Sequence, residues 1–312
     1  MAHLDAHVHV FAKASAEFPR EVSPDMPGHA EATVEQLLGQ MEKHGVEQAV
    51  LVQAGGAAIE HHAYLRRCLV EHPRRFLGIG LVPAGETAPA GHMDRLAGEG
   101  GIIGFRLFTL GGPADPLAPM DARTFATYPI WKRAAEKDYV IWLYPRAADA
   151  HLVPYLLEMF PQVRVVFNHL MVCPGEGSFS LDEKGRPRIE VPMPPQTRYS
   201  TLGLKIGRIL ANTRGLHPYE NVCVHLSGQY AFSKEPWPYR DLAGWHASLH
   251  MVMRADRLMW ASDFPWIAED PGYGKLVGVV DELLPGLGQE ERAWIMGGTA
   301  RDFLRFPPSA NG

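Results

Sequence analysis

Leu4-Asp5-Ala6-His7-Val8-His9-Val10-Phe11 is an apolar run interrupted by two histidines. Residues at i and i+2 of a strand face the same way, so both imidazoles can converge on one side. A matching run near the other end, Leu258-Met259-Trp260-Ala261-Ser262-Asp263, finishes on a carboxylate. Six more runs rich in β-branched and other apolar residues lie between them, at 47–53, 76–82, 102–108, 139–144, 163–169 and 222–227. Several are almost continuously apolar, as parallel strands covered on both faces are.

Helical periodicity fills the intervals. Val34, Leu37, Leu38 and Met41 make one stripe, followed by Gly45; Leu152, Val153, Leu156, Leu157 and Phe160 make another, stopped by Pro161. Weaker patterns cover 60–71, 122–137, 240–253 and 290–304. Strands alternating with helices predict an α/β chain: one (β/α)8 TIM barrel over residues 1–312, at about 39 residues per unit. The 31 Gly and 26 Pro suit its many turns. One segment breaks the rhythm, 171–199 after the sixth strand, rich in Pro, Gly and charge. In a barrel it leaves the C-terminal face, so it is expected to be an active-site loop insertion, a pocket wall or lid.

Composition excludes several functions. With 46% hydrophobic and 21% charged residues the chain is not a disordered segment. A net charge of −5 without a basic patch argues against a nucleic-acid partner, and no window of 18 apolar residues predicts a membrane span. The N-terminus does not read as a signal peptide, and three scattered cysteines (Cys68, Cys173, Cys223) read as incidental thiols of a reducing cytoplasm.

The chemistry gathers at strand ends. His7 and His9 on the first strand, His169 ending the sixth and Asp263 ending the last share one rim once the sheet closes. Imidazoles and a carboxylate there are candidate metal ligands, and the carboxylate can also take a proton from water. Arg106, Tyr144, Arg146 and Gln53 point near the same rim and suit recognition of a carboxylate or carbonyl. His29, Trp237 and Trp266 are read as pocket lining or as packing.

The chain resembles the amidohydrolase superfamily, in the branch of amidohydrolase-related lactonases that act on pyrone dicarboxylates and sugar acids. The likeness rests on Asp5-Ala6-His7-Val8-His9, Gly104-Phe105-Arg106, Phe167-Asn168-His169-Leu170 and His225-Leu226-Ser227-Gly228, then on 256–265 and Gly297-Gly298-Thr299-Ala300. It implies that His7, His9, His169 and Asp263 form the catalytic centre. Two departures stand out. Metal-rich relatives have a ligand histidine on the fifth strand, where this chain has Tyr144; and His225 occupies a position where this branch commonly has lysine. His225 is therefore read as a further ligand, a substrate contact or a packed ring.

The leading expectation is hydrolysis of a lactone or similar cyclic ester. Asp263 would be general base and then acid, with the histidines polarising the carbonyl either through one divalent metal (Zn or Mn) or without any metal. The alternative is a metal-dependent non-oxidative decarboxylase, or a C–C or C–N hydrolase, acting on a carboxylated aromatic. A barrel that binds without catalysis is the third reading. The expected partner is a small molecule, a carboxylated or sugar-acid lactone; a homo-oligomer is left open.

Overall fold

All eight apolar runs form strands in the computed structural model, which describes residues 2–98, 100–190 and 219–308. They are β1 (His3–Val8), β2 (Val46–Val52), β3 (Phe76–Leu81), β4 (Ile102–Leu107), β5 (Val140–Leu143) and β6 (Val165–Phe167). After a small antiparallel hairpin, β7 (Phe179–Leu181) and β8 (Pro187–Ile189), come β9 (Val222–Leu226) and β10 (Leu258–Trp260). The eight barrel strands pair in parallel in the order β1-β2-β3-β4-β5-β6-β9-β10, the (β/α)8 arrangement. The ladders of β2, β5, β6, β9 and β10 stop short of Gln53, Tyr144, His169, Ser227 and Asp263, leaving them on the rim, whereas Arg106 lies within β4.

Alternation divides the apolar residues between two cores. Leu4, Ala6, Val50, Val52, Ile79, Val140, Trp142, Val166, Cys223, Met259 and Ala261 fill the barrel interior. Val8, Leu51, Phe105, Ile141, Leu143, Val165, Phe167, Val224 and Trp260 face the surrounding helices. Helix α1 (Val34–Lys43) begins with a capping box between Thr33 and Gln36 and buries Leu37 and Met41 on that outer face. The helix Pro89–Ala97 was not evident in the sequence, because its buried face is only His92, Met93 and Leu96. The pattern at 290–304 divides into Gln289–Ala293, a π turn over Trp294–Gly298 and Thr299–Leu304.

Strict alternation along β1 would put Leu4, Ala6, Val8 and Val10 on one face and both histidines on the other. The pairing of β1 with β2 instead shifts register between Asp5 and Val8. Leu4 and Ala6 point into the barrel, Val8 and Val10 point out, and the bulge turns His7 and His9 inward. A second close fit is at Gly104, where a Cβ would lie 2.3 Å from the Val140 carbonyl oxygen on the neighbouring strand.

The first and last strands meet beyond β10. The Asp263 N–H donates to the His7 carbonyl (3.0 Å) and the His9 N–H to the Phe264 carbonyl (2.7 Å). The buried Asp5 carboxylate locks this seam: Oδ1 accepts from the N–H groups of Ser262 (2.9 Å) and His7 (3.4 Å), and Oδ2 from the Tyr273 hydroxyl (2.8 Å). Burial raises its pKa to about 6 against these donors, so it is ionised at neutral pH.

In the segment 171–199, residues 191–199 lie outside the described residues; the hairpin occupies the part before them. Among the described residues no helix is long and apolar enough to cross a membrane, and the three cysteines are free and buried. Replacing Asp5 by Ala leaves three buried donors unpaired. It should lower the unfolding free energy by about 3 kcal/mol, read as a lower urea midpoint at constant slope. An unchanged midpoint would show that the seam closes without the carboxylate.

Candidate active site

The rim gathers His9, Arg106, Tyr144, His169, Tyr230, Asp263 and Trp266 around a cavity of about 370 Å³. Beneath its floor lie His7 and His225, both fully buried. The backbone is strained where the reacting groups sit. His169, Leu170 and Met171 have φ of 45°, 59° and 59°, and Asp263 has 63°. Side chains rarely adopt this left-handed region, and each such residue costs on the order of 1–3 kcal/mol. Gly228, at φ 76°, packs on His169, whose Cβ would be 3.1 Å from any Cβ placed there.

Asp263 is buried with its two oxygens in different company. Oδ2 accepts from the Tyr230 hydroxyl (2.8 Å), while Oδ1 has no hydrogen-bond partner. Oδ1 lies 3.5 Å from His9 Nε2 and 3.8 Å from His7 Nε2; Oδ2 lies 4.0 Å from His169 Nδ1. Burial pushes its carboxyl upward, but His169, His9 and the Tyr230 hydroxyl outweigh that and hold it well below the usual range.

Arg106 donates from Nη2 to His169 Nε2 (3.1 Å) and lies over the rings of Phe108 (4.7 Å) and Tyr144 (5.4 Å). Its Nε and the buried Tyr144 hydroxyl have no partner. His169 Nδ1 lies 3.0 Å from Ser227 Oγ. A guanidinium only donates, so the neutral His169 ring carries its proton on Nδ1. Burial lowers the His169 pKa to about 4 and that of Arg106 to about 10.

Other expected residues are placed differently. Gln53 borders the cavity, but its amide donates to the carbonyls of Ala54, Gly56 and His61, which fixes the loop after β2. Trp266 lines the cavity, with its ring 6.3 Å from Phe11. Arg146 is exposed and off the cavity, because the chain turns outward at Pro145 into the 3-10 turn Ala147–Leu152. His225 packs edge-on to Trp142 (4.7 Å) and His7 (5.3 Å), with neither ring nitrogen hydrogen-bonded. His29 is exposed, and Trp237 borders a separate crevice. Tyr230, Trp142 and the hairpin residues Phe179 and Ile189 were not singled out in the sequence, and Ser227 entered only as part of the motif His225-Leu226-Ser227-Gly228. Tyr230 lies four residues beyond the end of β9, outside the strand-end pattern.

Two tests bear on a metal ion. Spacing favours one: His7 Nε2 and His9 Nε2 are 3.2 Å apart, and with Asp263 Oδ1 they approximate the edges, about 3.3–3.4 Å, of a tetrahedral zinc shell. Hydrogen bonding opposes it. Trp142 Nε1–H donates to His7 Nδ1 (2.9 Å), as Arg106 does to His169 Nε2. Both groups can only donate, so each neutral ring carries its proton on the nitrogen turned toward Asp263. As arranged, the site does not fit a resident ion, and the chemistry below runs through protein groups and water.

A barrel with imidazoles, an arginine and an ionised carboxylate at its C-terminal rim defines a site for activating water against an electrophilic carbon. The amidohydrolase family matches residues 4–306, and the chain belongs to it. No curated protein matches the chain. Among solved structures it is similar to one from Pseudomonas putida described as a candidate 2-pyrone-4,6-dicarboxylic acid hydrolase (23% identity, 99% of each chain, TM-score 0.68). It is similar also to an amidohydrolase from Burkholderia multivorans with bound zinc (20% identity, 98% of this chain and 100% of that one, TM-score 0.65). A 2,6-dihydroxybenzoate decarboxylase from Rhizobium shares the fold at 16% identity (97% and 98% of the chains, TM-score 0.60).

The electrostatics set a pH profile. Asp263 stays ionised through the neutral range, His169 is neutral above about 4 and Arg106 charged below about 10. Turnover per enzyme, measured as kcat/KM on any accepted substrate, should be level between limbs near those two values. Because Asp5 itself titrates near 6, a limb near 6.5, the ordinary histidine value, that persists in an Asp5→Asn variant would show that one of these assignments is wrong.

Proposed function

We propose that this amidohydrolase opens a lactone or related cyclic ester by attack of an activated water. One observation carries the reading: three buried polar atoms of the cavity lining have no partner, the acceptor Asp263 Oδ1 and the donors Tyr144 hydroxyl and Arg106 Nε. An unpaired acceptor and two unpaired donors around one cavity are what a water and a carbonyl oxygen require. Asp263 Oδ1 takes a proton from water as the water oxygen bonds to the carbonyl carbon. The charge on the carbonyl oxygen is met by Tyr144 and Arg106. The ring C–O bond then breaks, and Asp263 returns the proton to the departing alkoxide, leaving a hydroxy acid.

The His7, His9 and His169 rings surround the carboxylate, with the N–H groups of His7 and His169 turned toward it; His169 also orients Arg106. The aromatic walls (Phe108, Tyr144, Phe179, Trp266) and the single arginine lining the described part of the cavity suit a flat or cyclic substrate bearing a carboxylate. Decarboxylation on a metal is the weaker reading, because it would need His7 Nε2 and His169 Nδ1 unprotonated, and the donors Trp142 and Arg106 on the opposite nitrogens keep the protons there.

Asp263→Asn keeps the shape and the Tyr230 contact but removes the base. Turnover of sugar-acid and aromatic lactones in a pH-indicator assay should fall by about 10²–10⁴-fold, with the thermal transition unmoved. Hydrolysis at the parent rate by the folded variant would end this mechanism.

A further inference from the structure

We infer that Trp142 fixes the proton of His7 on Nε2, making His7 and His9 a one-way hydrogen-bond chain rather than a pair of metal ligands. This hydrogen-bond chain is independent of which substrate binds and of the lactone reading. Trp142 is an interior residue of β5, in the barrel core below the cavity floor. Its indole N–H, which can only donate, reaches His7 Nδ1 at 2.9 Å. At the far end, His9 Nδ1 lies 2.8 Å from the Val52 carbonyl oxygen, which can only accept. The nitrogens between, His7 Nε2 and His9 Nε2, are 3.2 Å apart.

One assignment satisfies every link. Trp142 donates to His7 Nδ1, His7 Nε2–H donates to His9 Nε2, and His9 Nδ1–H donates to Val52. Turning the His7 ring over places carbon at both contacts and orphans a buried indole N–H, at a cost of about 1–3 kcal/mol. Protonating Nδ1 sets two N–H groups head to head. His7 is also fully buried beside His169, His225 and Arg106, which hold it neutral, with the Asp263 carboxylate on its Nε2 side.

A ligating histidine ordinarily gives its second N–H to an acceptor, which leaves the metal-facing nitrogen unprotonated. His9 meets that condition through Val52. His7 meets the reverse condition, because its second nitrogen receives a proton donor. Trp142 is thus a positioning residue that acts through His7, directing an N–H toward His9 and Asp263. The paired imidazoles on β1 have the spacing of a metal clamp, and one indole nitrogen on another strand decides against that use.

The test has two arms. Nitrogen-15 spectra of the histidine-labelled parent protein, with His7→Gln identifying the His7 signals, should show His7 protonated on Nε2 and His9 on Nδ1. A His7 proton on Nδ1 would overturn the inference, and this arm does not depend on any Trp142 variant folding. In the second arm, Zn2+ is titrated calorimetrically into the parent and Trp142→Phe proteins. Loss of the indole N–H frees His7 to move its proton to Nδ1, so zinc should bind the variant about 10–100-fold more tightly. Equal affinities, or tight zinc binding by the parent through His7 Nε2, would refute it.

Discussion

The barrel seam at Asp5 is the constraint on which the rest depends. Its carboxylate joins the first strand to the residues after the last by accepting from Ser262, Tyr273 and the His7 amide. Because Ser262 precedes Asp263 and Asp5 lies two residues before His7, the closure that completes the fold also sets the base against the imidazoles. A barrel left open there would keep its strands and lose its site. Desolvating the carboxylate is costly, and three donors compensate for that.

Charge is concentrated the same way at the rim. Asp263 is ionised beside His7 and His169, rings that burial keeps neutral, and Arg106 is held against the second. A carboxylate held this low is a weak base while the cavity contains water. A substrate that draws on Arg106 and expels water raises it, so the base strengthens as the substrate enters.

Much of this was legible in the sequence, for stated reasons. Strands buried on both faces have to be apolar throughout, so all eight showed, and polar residues at their ends marked the rim. Other features depend on backbone detail. The bulge that turns His7 and His9 inward leaves no mark in a period-two pattern. Arg146 and Arg106 both stand near strand ends, yet the turn at Pro145 carries Arg146 into solvent. Trp142 read as core, which it is; its hydrogen bond to a residue 135 positions away has no local signal. Tyr230 was hidden because it belongs to a short turn beyond its strand.

The hairpin inserted between β6 and β9 divides responsibility within the site. A two-stranded ribbon is marginal alone; here Arg188 ties it to the carbonyls of Tyr230 and Ser233, and Arg186 ties it to Asp270. Phe179, Pro187 and Ile189 face the cavity from it, whereas every group that handles a proton comes from the barrel. The hairpin therefore supplies one wall of the substrate cavity and none of the reacting groups. Descendants of such a sequence can exchange the wall, and with it their diet, while inheriting the floor intact.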